Sequence, residues 1–222
     1  MTRTEYQRRL EGLREEVLTM DDVVRERLDI ALRALAERNE ELGREVIERD
    51  HEVNEMYLEL ERECTGLIAL QQPVAGDLRF VTASFKIITD LERIADLATN
   101  LGEYAGRAER EIHPDIDVAY IGERVGEAVT EAMAAYATED VDACYAIARR
   151  DDEIDDLCER ASELVISDLI ATEGDDAETD RLFSEVSRLL LAVRDLERVG
   201  DHAVNIAART LYMIESDDEL IY

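Results

Sequence analysis

One lysine, two prolines, three cysteines and no long apolar run set the first limits on this chain. Lys86 is the only lysine, and every other base is arginine; 25 bases stand against 55 acids, for a net charge of −30. Proteins bind a polyanion by replacing its counterions with Lys and Arg, so this balance excludes a general nucleic-acid binder. No run of about 18 apolar residues occurs, so no transmembrane segment is expected. Met1-Thr2-Arg3-Thr4-Glu5 continues into polar residues, so no signal peptide is expected. Cys64, Cys144 and Cys158 have no CxxC spacing and suggest no disulfide framework, which favours a reducing, cytoplasmic setting. Also missing are strand-like alternation, a Gly-rich phosphate loop, a dinucleotide fingerprint and a Ser/His/Asp set.

What is present is helical periodicity. Hydrophobic residues make up 46% of the chain, enough for a real core. Six helical segments are expected: about 5–36, 40–71, 77–104, 116–137, 141–171 and 178–215. Pro73 and Gly76 separate the second from the third. The polar stretch 106–115, with Pro114, reads as a linker, and 172–176, with Gly174, reads as a turn. Long helices with short connections pack antiparallel. The expected fold is therefore all-α: two tandem antiparallel three-helix bundles, at 1–105 and 116–222.

The two halves are copies. Asp90-Leu91-Glu92-Arg93-Ile94-Ala95-Asp96-Leu97-Ala98-Thr99-Asn100 returns as Asp195-Leu196-Glu197-Arg198-Val199-Gly200-Asp201-His202-Ala203-Val204-Asn205, with seven of eleven positions identical. Upstream, Arg49-Asp50-His51-Glu52-Val53-Asn54 matches Arg150-Asp151-Asp152-Glu153-Ile154-Asp155. In each long phrase Glu and Asp stand one helical turn apart, where like charges repel. Each Glu also interrupts an apolar stripe: Glu92 sits between Ile88 and Ala95, and Glu197 between Val193 and Gly200. Asp50 and Asp151 interrupt the stripes of the preceding helices, with Asn54 and Asp155 one turn on. Such positions normally carry Leu, Ile or Val.

A carboxylate there must be protonated, salt-bridged or bound to a cation. Arg93 and Arg198 are expected to pair with Asp90 and Asp195 at i,i+3 and to neutralise part of each cluster. Asp and Glu without Cys make hard-oxygen sites suited to Mg, Mn, Ca or iron, with zinc also open. The candidate metal residues are Asp50, Asn54, Glu92 and Asp96 in one bundle, and Asp151, Asp155, Glu197 and Asp201 in the other. Ala95 and Gly200 are small enough to let a helix or a metal approach. His51 and His202 are nearby nitrogens more typical of surface residues. Cys64 and Cys158 fall on apolar stripes and read as core. Asp77 reads as the N-cap of the third helix. Glu48-x-x-His51 has a di-iron spacing but no counterpart in the second copy, and reads as chance.

The paired phrases, together with Pro73-Val74-Ala75-Gly76-Asp77-Leu78-Arg79, resemble the PhoU family of phosphate-transport regulatory proteins, over nearly the whole chain. The resemblance implies a non-enzymatic cytoplasmic regulator that restrains the phosphate ABC transporter by acting with its ATPase subunit and, in bacteria, with a phosphate-sensing kinase. It also implies multinuclear iron or zinc clusters at Glu92, Asp96, Glu197 and Asp201, faced by Asp50, Asn54, Asp151 and Asp155. Asn54 stands where the family commonly has Asp, which weakens the first site, and Ala95 stands where Gly is usual. Acid excess with almost no lysine suits very high salt, where the Debye length falls to roughly 3 Å, so a halophilic archaeal source is expected. A homodimer is left open. Two other functions compete: a metal-dependent enzyme of di-iron or phosphohydrolase type, and a metal-free adaptor whose acids pair with arginine.

Overall fold

The computed structural model describes residues 2–70, 74–105, 117–171 and 176–221. Among them are seven helices and no strand: α1 (Arg3–Glu37), α2 (Glu40–Glu48), α3 (Asp50–Leu70), α4 (Ala75–Ala105), α5 (Val118–Thr138), α6 (Val141–Ala171) and α7 (Asp176–Glu215). The expected second helix is thus two. It breaks at Arg49, whose φ of −100° and ψ of 4° leave the helical region. The matching Arg150 stays inside α6.

A close helix crossing precedes the break. α2 meets α4 through Gly43 and Gly102, and a Cβ on Gly43 would stand 2.3 Å from the Gly102 carbonyl oxygen. Only glycine permits backbones this close. This contact lies six residues before the break at Arg49. In the second copy Cys144 and Ala207 hold these two positions, and both are buried.

The helix ends follow from capping chemistry. Thr2 and Glu5 form a capping box on α1. Arg38 and Glu139 take left-handed conformations (φ 54° and 57°) at the two equivalent corners. The next residue then caps the following helix in each copy: Asn39 accepts from Glu41 and Leu42, and Asp140 accepts from Ala143. Asp77 does not cap α4. It lies inside the first turn, where Arg3 and Gln7 donate to it. The expected linker at 106–115 lies outside the described residues, as does 172–175 of the expected turn.

α1, α2 with α3, and α4 make one bundle; α5, α6 and α7 make the other. α4 packs on α7 and α1 on α5, so one continuous core runs through both. The predicted stripes are its spine: Val81, Ile88 and Ala95 on α4, and Val186, Val193 and Gly200 on α7, are all buried. No helix among the described residues is long and apolar enough to cross a membrane.

Candidate metal centre

The stripes carry the acids to the seams where α3 meets α4 and where α6 meets α7. At the second seam Asp151, Asp155 and Asp201 each offer a carboxylate oxygen within 4.8 Å of the others. Glu197, the fourth expected ligand, stands one turn before Asp201, is exposed and is not among these three. Asp151 is the innermost. Its Oδ1 is shut off from solvent and has no hydrogen-bond partner. Gly200 makes room for it: a Cβ there would lie 3.6 Å from that oxygen and 3.4 Å from Ile154. Burial, then the charges of Asp155 and Asp201, push the Asp151 carboxyl up to about 6. Asp155 and Glu197 are raised as well, by burial first and neighbouring acids next. Cys158 lies buried beneath the cluster; burial, then Glu197, Asp155 and Asp201, push its thiol up to about 12. Neighbouring acids raise one another here, with Arg194 pulling Glu197 the other way.

The first seam holds the same helices but a different balance. Asn54 Nδ2 donates to Asp50 Oδ2 at 2.9 Å. The Thr99 hydroxyl lies 3.1 Å from Asp50 Oδ1 and 3.1 Å from the Ala95 carbonyl, with one proton to share between them. Arg93 reaches Asp96 at 3.1 Å and Glu92 at 3.5 Å. Arg93 therefore does not take Asp90, the pairing its spacing suggested. Burial still raises Glu92 and Asp96, with Arg93 pulling the other way. Among the described residues, three carboxylates converge only at the second seam. The Thr99 hydroxyl has no equivalent in the second copy, where Val204 stands, and that difference between the repeats is its signal in the sequence.

The outer residues of the repeated phrase do something the spacing alone did not disclose. Asp90 Oδ1 is 2.9 Å from His202 Nδ1 and accepts from Asn205 at 3.5 Å. Reciprocally, Asp195 Oδ2 accepts from Asn100 at 3.2 Å and from the Tyr104 hydroxyl at 3.1 Å, while Arg198 lies 3.4 Å from Oδ1. The Asp of each phrase thus holds the Asn of the other, and α4 and α7 run antiparallel across a pseudo-twofold axis. His202 serves this contact. His51 is exposed, with Nδ1 3.2 Å from the Glu48 carbonyl.

Fold and site together define a duplicated helical-bundle protein with a carboxylate cluster at a helix seam. The PhoU domain matches it twice, at residues 17–105 and 118–210. The phosphate-specific transport system accessory protein PhoU homolog of Clostridium acetobutylicum is 30% identical, covering 96% of each chain. Homolog 1 of Methanothermobacter thermautotrophicus is 33% identical over 94% of each. The crystal structure of PhoU from Pseudomonas aeruginosa superposes with a TM-score of 0.88 at 30% identity, covering 96% of this chain and all of that one. The chain belongs to the PhoU family.

Proposed function

We propose that the protein is a cytoplasmic regulator of phosphate uptake, a negative modulator that docks on the ATPase subunit of a phosphate ABC transporter. The match of the family domain to both halves carries this reading, supported by relatives named as accessory proteins of phosphate-specific transport. The test is uptake of labelled phosphate under replete growth. Deleting the gene should leave uptake unrestrained, and the wild-type gene should restore restraint. Unchanged uptake in the deletion strain would sink the proposal.

We infer that Asp151, Asp155, Glu197 and Asp201 hold a metal. The observation that carries this is the approach of Asp155 and Asp201 to Asp151, whose Oδ1 has no hydrogen-bond partner. Oxygen donors suit Mg, Mn, Ca or iron, and the family resemblance adds zinc. The bound cation would offset the repulsion among these acids and tie α6 to α7. Asp50, Asn54, Glu92 and Asp96 form the weaker counterpart, since their charges already have partners. Elemental analysis of protein purified without added metal checks the ligand set. Substoichiometric metal that does not change in the Asp155→Asn/Asp201→Asn variant would favour the metal-free adaptor. Multi-turnover hydrolysis or oxidation, abolished in that variant, would favour an enzyme.

A further inference from the structure

A cavity of about 390 Å³ opens at the junction of the two bundles, away from both carboxylate seams. Its walls are α1, the first turns of α4, the α5–α6 corner and the last turn of α7. Two arginines line it. Arg14 is held in place: its guanidinium lies 5.0 Å from the Phe80 ring centroid and 5.6 Å from that of Tyr136, and it pairs with Glu139. The two rings are stacked, with centroids 6.5 Å apart, and the Tyr136 hydroxyl is 2.9 Å from that of Ser84. Asp77, on the rim, is already taken by Arg3 and Gln7.

Arg79 differs. Its Nε is shut off from solvent and has no hydrogen-bond partner. The chain has 55 acids for 25 bases, and Glu11 lines the same cavity, yet this half-buried guanidinium has not been given a carboxylate. The space beside it is suited to an anion. Gly76, in the first turn of α4, would meet nothing within 4 Å if it carried a Cβ. The leading N–H groups of a 31-residue helix favour negative charge there. Val74 to Arg79, most of a phrase that marks the family resemblance, has no part in the carboxylate seams.

We propose that this cavity binds a phosphate-class oxyanion, gripped by the guanidinium fork of Arg79 with Arg14 as a second, aromatic-stacked cation. A planar guanidinium matches two oxygens of a tetrahedral phosphoryl group. The group belongs either to free orthophosphate or to a phosphate monoester. In the second bundle Ser184 and Glu185 stand where Arg79 and Phe80 stand in the first, so there is one site per chain. The choice of phosphate as probe rests on the transport reading above. The binding itself is measured on purified protein, so its failure and a failure of the uptake experiment are distinguishable.

The test is equilibrium dialysis of the full chain, first with labelled orthophosphate and then with glycerol phosphate. Saturable binding of one probe is expected, and the preferred probe identifies the source of the phosphoryl group. Arg79→Gln should weaken binding by at least about tenfold, roughly 1.4 kcal/mol. The Asp155→Asn/Asp201→Asn variant should bind as the wild type does. Failure of both probes to bind saturably would overturn the proposal. So would equal binding by Arg79→Gln, or loss only in the carboxylate variant, which would move the phosphate to the metal. If Arg79→Gln does not fold, the unmodified chain decides: phenylglyoxal labelling of Arg79, read by mass spectrometry, should be slowed by the bound probe, and unslowed labelling counts against the site.

Discussion

The two carboxylate seams occupy equivalent places in two copies of one bundle, yet their acids meet different partners. In the first, Asn54, Thr99 and Arg93 meet the acids of Asp50, Glu92 and Asp96 with their own donors. In the second, Asp155 replaces the amide and Val204 replaces the hydroxyl. Arg198 turns to Asp195 instead of toward the cluster. Three small changes separate a hydrogen-bonded polar seam from a candidate metal centre. The lesson is that a duplicated acid motif need not be a duplicated site: the donors around it decide whether it needs a cation.

The comparison can be broken first in the scaffold. Gly43→Val should cost more than about 3 kcal/mol, because α2 and α4 must separate. Cys144→Val, at the matching position, should cost less than about 1.5 kcal/mol as a near volume-conserving change. Chemical denaturation checks both, and equal costs would mean the Gly43 crossing is not what sets the bundles apart.

Asp21 on α1 comes next. It is buried, its Oδ1 has no partner, and its counterpart in α5 is Gly122. Burial, partly offset by Arg25, raises its carboxyl to about 6. A raised acid favours the protonated fold, so this contribution to stability is full below the ordinary value near 3.8 and is lost as pH rises through about 6. Asp21→Asn should therefore stabilise the protein near neutrality by up to about 3 kcal/mol and remove that slope. An unchanged slope in a series of melts between these two pH values would contradict it.

The metal comparison follows. Asp155→Asn/Asp201→Asn should lower affinity at the second seam by roughly a hundredfold, about 2.8 kcal/mol. Asn54→Asp with Thr99→Val should give the first seam measurable binding. Calorimetric titration with Mn or Zn reads both changes, and a first seam that gains nothing would show that donor chemistry is not the deciding difference.

The smallest effect concerns the two locks across α4 and α7. Asp195 is buried among three donors, while Asp90 is more exposed and meets two. Asp195→Ala should cost about 2–3 kcal/mol and Asp90→Ala about 1 kcal/mol, both readable by urea unfolding. The reverse order would contradict the assigned roles.

Much of the fold was legible because its signals are local. Apolar stripes at 3.6-residue spacing, Pro73, and the Arg38-Asn39 corner repeated as Glu139-Asp140 place the helices to within a few residues. The crossing of α2 on α4 was not legible, because Gly43 and Gly102, which meet there, stand 59 positions apart. The acids were found as seam interruptions, and the structure brings Asp151, Asp155 and Asp201 together. The Arg198 pairing with Asp195 follows from i,i+3 spacing, but Arg93 has Asp96 at the same spacing on its other side and takes it instead of Asp90. The role of Asp90 and Asn100 was hidden for another reason: their partners belong to the other copy, and spacing within one helix cannot show a contact between two.

The reciprocal hold of Asp90 on Asn205 and Asp195 on Asn100 has the form of a symmetric dimer interface folded inside one chain. In a homodimer every substitution appears on both sides at once, so the two faces cannot specialise. Here the linkage makes association independent of concentration and gives each half its own residues. One half could retain an uncompensated acid cluster while the other exchanged its charges for Asn54 and Thr99, and neither change had to be copied across the axis.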